Sequence, residues 1–317
     1  MRARLLLLMF FCSTALAQPY PSRPVKVIVP YPPGSTPDIV GRTLSTQLQQ
    51  SLGQPFVVDN RTGAGGNIGT EAAAKSAADG YTLLVAINGP VAVNKHLYKD
   101  LPYDPDRDLL PISLLAAAPQ MLVVKAQLPV ADFLSFIEYA KRNPGRLSYG
   151  SVGAGSASHL TMELLKASAG LFIVHIPYRG FPPAVTDMLA GNIDAMFAIV
   201  PAVLPHVKAG KMKALAVTAL KRSALAPDVP NVGELGYREL ESLAWIGLLA
   251  PAGVPAEIVT RLSAETQRAM NQADVRELLG KQGFDVIANS PQDFSRWIAA
   301  ESAKWAKVIH TSGATPD

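Results

Sequence analysis

SYGSVGAGSASHL, residues 148–160, reads as a short strand ending at Tyr149, a loop built only from small residues, and the start of an apolar helical pattern. Gly150, Gly153 and Gly155 permit positive φ and let a ligand approach the backbone closely. Ser156 or Ser158 can cap the helix, whose positive dipole end then faces the same point. Exposed N–H groups beside a helix start outline an anion site. They equally describe an ordinary capped helix behind a glycine turn.

Two further loops of the same construction favour the site. PYPPGSTPDIVGR at 30–42 follows the apolar strand 25–29 and precedes a helix with Leu44, Leu48 and Leu52 on one face; DNRTGAGGNIG at 59–69 follows the strand 56–58. Three strand–loop–helix units with polar, glycine-bearing loops point to one place where strand carboxyl ends converge, as ligand sites in open α/β sheets do. Asn88 follows the third strand, 81–86, and so reaches the same sheet edge, either as a turn residue or as a side chain of the site.

The first 17 residues have the pattern of an export leader: Arg2 and Arg4, an apolar run from 5 to 11, and Ala15-Leu16-Ala17 as a small-x-small cleavage site. That apolar run is shorter than the roughly 20 residues a membrane-spanning helix needs. Cys12 is the only cysteine, so cleavage after Ala17 leaves a chain without disulfides or thiolate metal ligands, reliant on its 49% apolar residues for a core. Loss of Arg2 and Arg4 also leaves 27 basic against 25 acidic residues, a net of +2 with no basic run interleaved with aromatics. Nothing there calls for nucleic acid.

From 25 to about 118 short β-rich runs alternate with helical ones, an α/β unit with a largely parallel sheet. A second α/β unit begins at Met121. Its strands are expected at MLVV, at 148–149, in LFIVHIP, in IDAMFAI at 193–199 and in ALAVT at 214–218, with a turn at Tyr178-Arg179-Gly180. After the strand 245–250 come amphipathic helices, the last starting at Ser290-Pro291 and showing Phe294, Trp297, Ile298, Trp305 and Ile309 at helical spacing. This tail has too little β content to stand alone and is expected to pack on the first unit. The division is then 1–17 leader, 18–120 with 245–317 as domain 1, and 121–244 as domain 2, joined by crossings near 119–123 and 241–246.

Several chemistries fail on the residues. The fingerprint G-x-G-x-x-G is broken by Ile68 after Gly63-Ala64-Gly65 and by Ser158 after Gly153-Ala154-Gly155, and there is no P-loop. Ser151, Ser156, Ser158 and His159 crowd together as a serine hydrolase would need. The elbow G-x-S-x-G is nevertheless missed, because position 149 is Tyr. Neither a metal site nor a cofactor site is expected, since no histidine pair has ligand spacing. Asp38, at a helix start, reads as a cap; Asp194 enters an otherwise apolar strand and needs partners, in a site or in a structural hydrogen bond.

Taken together, PYPPGSTPDIVGR, NRTGAGGNIG, YTLL, SYGSVGAGSASHL, HIPYRGFPPAV, GNID, KALAVT and GLLAPAGVP resemble the exported solute receptors of tripartite tricarboxylate transporters, the Bug or TctC family, from about residue 23 to about residue 310. The resemblance implies an α/β, two-domain periplasmic binding protein of type II, a Venus flytrap with a hinge of two crossings. Such a protein is a non-catalytic periplasmic receptor, a monomer that closes on a small organic carboxylate and delivers it to integral membrane permease subunits. A sensor feeding a signalling partner uses the same fold. By position, the first-domain contacts would be Tyr31, Gly34, Ser35, Asp38, Ala64, Gly65, Gly66, Asn67 and Asn88; the second-domain contacts would be Ser151, Gly155, Ser156, His159, Tyr178 and Asp194. Ser35 departs from the second glycine usual in the first motif. If Gly155 and Ser156 offer N–H groups to the carboxylate, Gly155→Val should abolish binding while Ser156→Ala costs about 1–3 kcal/mol of it, measured by calorimetry.

Overall fold

The computed structural model describes residues 20–316; the leader expected at 1–17 lies outside them. β1 (Val25–Val29), an apolar run covered on both faces, pairs in parallel with β2 (Phe56–Asn60) and β3 (Thr82–Ile87). α1 (Thr36–Leu52) crosses from β1 to β2 and buries Leu44 and Leu48 of the expected stripe together with Val40, while Leu52 at its end is half-buried. α2 (Asn67–Ala74) begins inside the glycine loop at 59–69. A π-helical turn (Gly89–Val93) and two single-turn helices, α3 (Asn94–Leu97) and α4 (Pro105–Asp108), lead into β4.

β4 (Leu109–Lys125) is one strand of 17 residues, of which the sequence reading recognised only the second part. It leads to α5 (Phe133–Arg142), β5 (Ser148–Ser151), α6 (Ala157–Ala169), β6 (Val174–Pro177), α7 (Phe181–Ala190), β7 (Ala195–Ile199), α8 (Val200–Lys208) and β8 (Met212–Val217). β9 (Leu243–Pro251) then returns the chain beside β3, followed by α9 (Ala256–Met270), α10 (Ala273–Lys281), β10 (Asp285–Val286) and α11 (Pro291–Ser312). The strand order is β2-β1-β3-β9-β4-β7-β5-β6, with β8 and β10 also on β4. Residues 109–119 of β4 pair antiparallel with β9, whereas 120–124 pair antiparallel with β7. The same strand therefore belongs to two half-sheets, and β5 with its neighbours β6 and β7 is parallel, as β1 is with β2 and β3.

Where β4 changes partners, four buried polar residues tie the two crossings together. Gln120 N–H donates to Thr218 Oγ1 (2.9 Å), and Thr218 Oγ1 donates to the Ser242 carbonyl (2.6 Å). Gln120 Nε2 donates to Thr161 Oγ1 of α6 at 2.9 Å, which lies 2.7 Å from Ser242 Oγ.

α11 begins where its sequence cue stands. Ser290 Oγ accepts the Asp293 N–H at 3.1 Å and Pro291 is the first helical residue. Its stripe packs into the first half-sheet, and the Trp245 and Trp305 indoles both donate to Glu301 Oε2, at 3.0 and 2.9 Å. The helix also lies along α6, sharing a core with Ala154 and Leu160, so it touches both halves. A Cβ on Gly247 of β9 would sit 2.1 Å from Phe294 Cζ. Gly247→Ala should therefore lever α11 off the sheet, lowering stability in urea titration by about 1–3 kcal/mol; a stability unchanged from wild type would mean that α11 is not held there.

Candidate ligand-binding site

A cavity of about 500 Å³ lies between the halves, walled by Tyr31, Ser35 and Thr36 on one side and by Val152, Arg179 and Phe181 on the other. It continues, past Thr36 and Phe181, into an inner chamber of about 70 Å³ that reaches Asn88, Gln120, Ser156 and Trp245. The starts of α1 and α6 stand at this junction. Ser35 and Ser156, the residues before them, share one backbone conformation, φ −69° and ψ 159°. Ser156 is the cap, accepting the His159 N–H at 3.3 Å and donating to the Gly153 carbonyl at 2.6 Å. Ser35 instead donates to the Pro32 carbonyl at 2.6 Å. The Thr36, Ala157 and Ser158 N–H groups, which line the cavity, have no protein partner among the described residues.

A helix of this length carries about half a positive charge at such a start. Among the described residues no Asp or Glu lines either chamber, while Arg179 and Lys281 do. Arg179 makes no ion pair among the described residues, whereas Lys281 pairs with Glu277 at 2.6 Å. The sequence reading took Arg179 for part of a turn; its place just beyond β6, at the carboxyl edge, was the available signal. Asn88 is buried, and its Nδ2 has no hydrogen-bond partner among the described residues.

The residues singled out from sequence divide. Tyr31, Gly34, Ser35, Asn88 and Ser156 line the cavity. The 64–66 loop stands against Tyr31, whose hydroxyl donates to the Gly65 carbonyl at 3.4 Å, and a Cβ on Gly65 would lie 3.3 Å from the Ala154 carbonyl of the other half. Gly155 does not offer its N–H outward, because it donates to His159 Nδ1 at 3.2 Å; the Ser156 N–H goes to the Gly153 carbonyl at 3.2 Å. With φ at +74°, Gly155 faces Asn94, whose Oδ1 would be 2.4 Å from an added Cβ. Gly155→Val would thus clash across the halves rather than obstruct a ligand, and the free donors on this loop are the Ala157 and Ser158 N–H groups.

Asp38 and Asn67 brace loops. Asp38 accepts from the Gly34 N–H (2.8 Å), Arg42 Nε (3.0 Å) and Asn60 Nδ2 (2.9 Å). Burial opposes its charge, but Arg42, Gly34 and Asn60 prevail and hold the carboxyl below its usual range. Asn67 Oδ1 accepts from Asn94 Nδ2 (2.6 Å) and the Tyr103 hydroxyl (3.1 Å). Tyr178 donates to Asp187 Oδ2 at 2.7 Å, and burial with that carboxylate pushes the phenol up to about 12. Asp194 stands at the amino end of β7, paired with Lys125 at 2.6 Å and accepting the Ser148 N–H at 2.8 Å. The cavity opens at the other end, beyond Ile199, so Asp194 is a structural tie.

Ser151 is fully buried, lines neither chamber, and has its Oγ 2.6 Å from His175 Nε2. The Tyr149, His159 and His175 rings form a stack behind it, with centroids 4.8 and 4.2 Å apart at His175.

A sequence profile described as "Tripartite tricarboxylate transporter family receptor" matches residues 40–314. Protein BugT of Bordetella pertussis is 39% identical over 311 residues, covering 96% of this chain and 95% of its own. Among solved structures, a Rhodopseudomonas palustris protein with adipate is 36% identical with a TM-score of 0.86, covering 94% of this chain and all (100%) of its own. MatC of the same organism, with bound malate, is 32% identical with a TM-score of 0.84, covering 92% and 100%.

Burial holds the His159 pKa down to about 3, helped by the charges of His175 and Lys166. In the unfolded chain it returns to about 6.5. The unfolded state therefore binds the extra proton between these values, and stability is lost as pH falls from about 6.5 toward 3. His159→Gln should remove about 2 kcal/mol of the stability difference between pH 7 and pH 5, read from urea titrations at both; an unchanged difference would contradict a neutral buried imidazole.

Proposed function

This chain belongs to the tripartite tricarboxylate transporter receptor family, and on that premise we propose that it captures a small organic carboxylate in the cleft between its halves. The observation that carries this reading is the convergence of the α1 and α6 starts, with unpartnered N–H groups, on a cavity whose walls hold no acidic side chain. Thr36, Asn88, Ala157 and Ser158 donate to the carboxylate; Tyr31, Gly34, Ser35 and Ser156 shape the space, and Arg179 adds positive charge at its wall. Adipate and malate in the two R. palustris structures support a dicarboxylate.

The halves act as domains 18–120 with 245–317 and 121–244, closing by flexing where β4 and β9 cross. The leader directs the chain to the periplasm and is removed after Ala17, and the loaded receptor delivers its solute to the membrane permease. Catalysis has no support in the geometry. Ser156 lies in the chamber with its hydroxyl given to a carbonyl, and Ser151, whose Oγ is 2.6 Å from His175 Nε2, is fully buried and lines neither chamber.

Calorimetry of the purified mature chain with malate, succinate, adipate and citrate should give saturable binding of at least one. Asn88→Ala should weaken it by about 1–3 kcal/mol. Asp194→Asn should leave affinity unchanged and lower the melting temperature, since it breaks only the Lys125 tie. No binding by any of the four, or hydrolysis of a carboxylate ester by the wild type, would refute the reading.

A further inference from the structure

Gln120 sits where β4 passes from one half-sheet to the other, and its side chain reaches the inner chamber. The orientation of its amide follows from its neighbours. Thr161 Oγ1 has one proton and two acceptors, the Ala157 carbonyl and Ser242 Oγ, both at 2.7 Å. It has none to give to Gln120, so the amide nitrogen faces Thr161 and the oxygen faces the chamber. Among the described residues that oxygen is buried without a hydrogen-bond partner, like the Asn88 Nδ2 donor on the same chamber wall. The serine hydroxyls there are engaged: Ser156 with Gly153, and Ser158 with the Val152 N–H and Ser156. The Trp245 indole N–H is given to Glu301.

A buried side-chain donor and a buried side-chain acceptor left unpaired in a chamber this small, beside the free N–H groups of the helix starts, call for a ligand head that both accepts and donates. A carboxylate alone satisfies Asn88 and the helix starts but only accepts, and would face the Gln120 oxygen unfavourably. An ammonium would donate, yet no Asp or Glu lines either chamber to offset its desolvation. A neutral hydroxyl meets both conditions. Resting on the carboxylate reading above, we infer that Gln120 is a specificity residue that accepts a hydrogen bond from a hydroxyl adjacent to the bound carboxylate, so that the receptor selects 2-hydroxy acids over their deoxy counterparts. The chamber, at about 70 Å³, exceeds the roughly 10–15 Å³ a water needs and holds this head. The rest of the solute lies in the outer cavity between Phe181, Pro182 and Ile199.

The test is calorimetry on matched pairs, malate against succinate and 2-hydroxyadipate against adipate. The hydroxy acid of each pair that binds should do so at least about tenfold more tightly. Gln120→Met should bring its affinity down to that of the deoxy acid, which itself should change by no more than about threefold. Equal affinities within each pair in the wild type, or a preference that survives in Gln120→Met, would overturn the inference while leaving the carboxylate reading intact. Tighter binding of aspartate than of malate would overturn the choice of hydroxyl over ammonium. If no acid of either kind binds, the carboxylate reading falls and this assignment with it. The wild-type comparison is decisive even if the variant fails to fold.

Discussion

An α-helix cannot satisfy its own first N–H groups, and this chain aims two such ends, those of α1 and α6, at one space. Each start would be an ordinary surface feature on a separate domain. They meet because β4 is a single strand shared by two half-sheets. Its first part lies beside β9, its second beside β7, and the parallel strands of each half-sheet deliver their following helices to the same cleft. The site is therefore a property of the crossing as much as of the loops.

Affinity assembled in this way is distributed. Each helix start or neutral donor contributes on the order of 1 kcal/mol, so that several must act together. In the proposed reading, closure gathers them. The halves touch at Gly155 against Asn94 and at Ala154 against Gly65, where glycine leaves just enough room, and α11 spans both through its packing on α6. Opening has to break the first two contacts and slide the third. The buried Gln120–Thr161–Ser242–Thr218 cluster ties the two crossings together at the point where the proposed hinge lies.

The two α/β units, the glycine loops, the Ser290 cap and the tryptophan-bearing stripe of α11 were legible because period and punctuation are local properties. β4 was not wholly legible. Pro111 and Pro119 interrupt its pattern, and burial on both faces removes the alternation that marks a strand. At the site, residue types were read better than bond directions. Gly155, His159 and Tyr178 stand in or beside segments that wall the cavity, whereas Asp194 lies at the opposite end of β7. Which way an N–H or a carboxylate points depends on partners distant in sequence, such as Lys125 for Asp194. Arg179 and Gln120 were passed over for a related reason: neither belongs to a glycine loop, and only the fold brings them to the cavity.

The most direct measurement is a crystal structure of the protein with a bound dicarboxylate. One carboxylate group should lie between the two helix starts, with oxygens about 2.7–3.2 Å from the Thr36, Ala157 or Ser158 nitrogens. A carboxylate held instead by Arg179 and Lys281, out of reach of those nitrogens, would contradict the account at its centre.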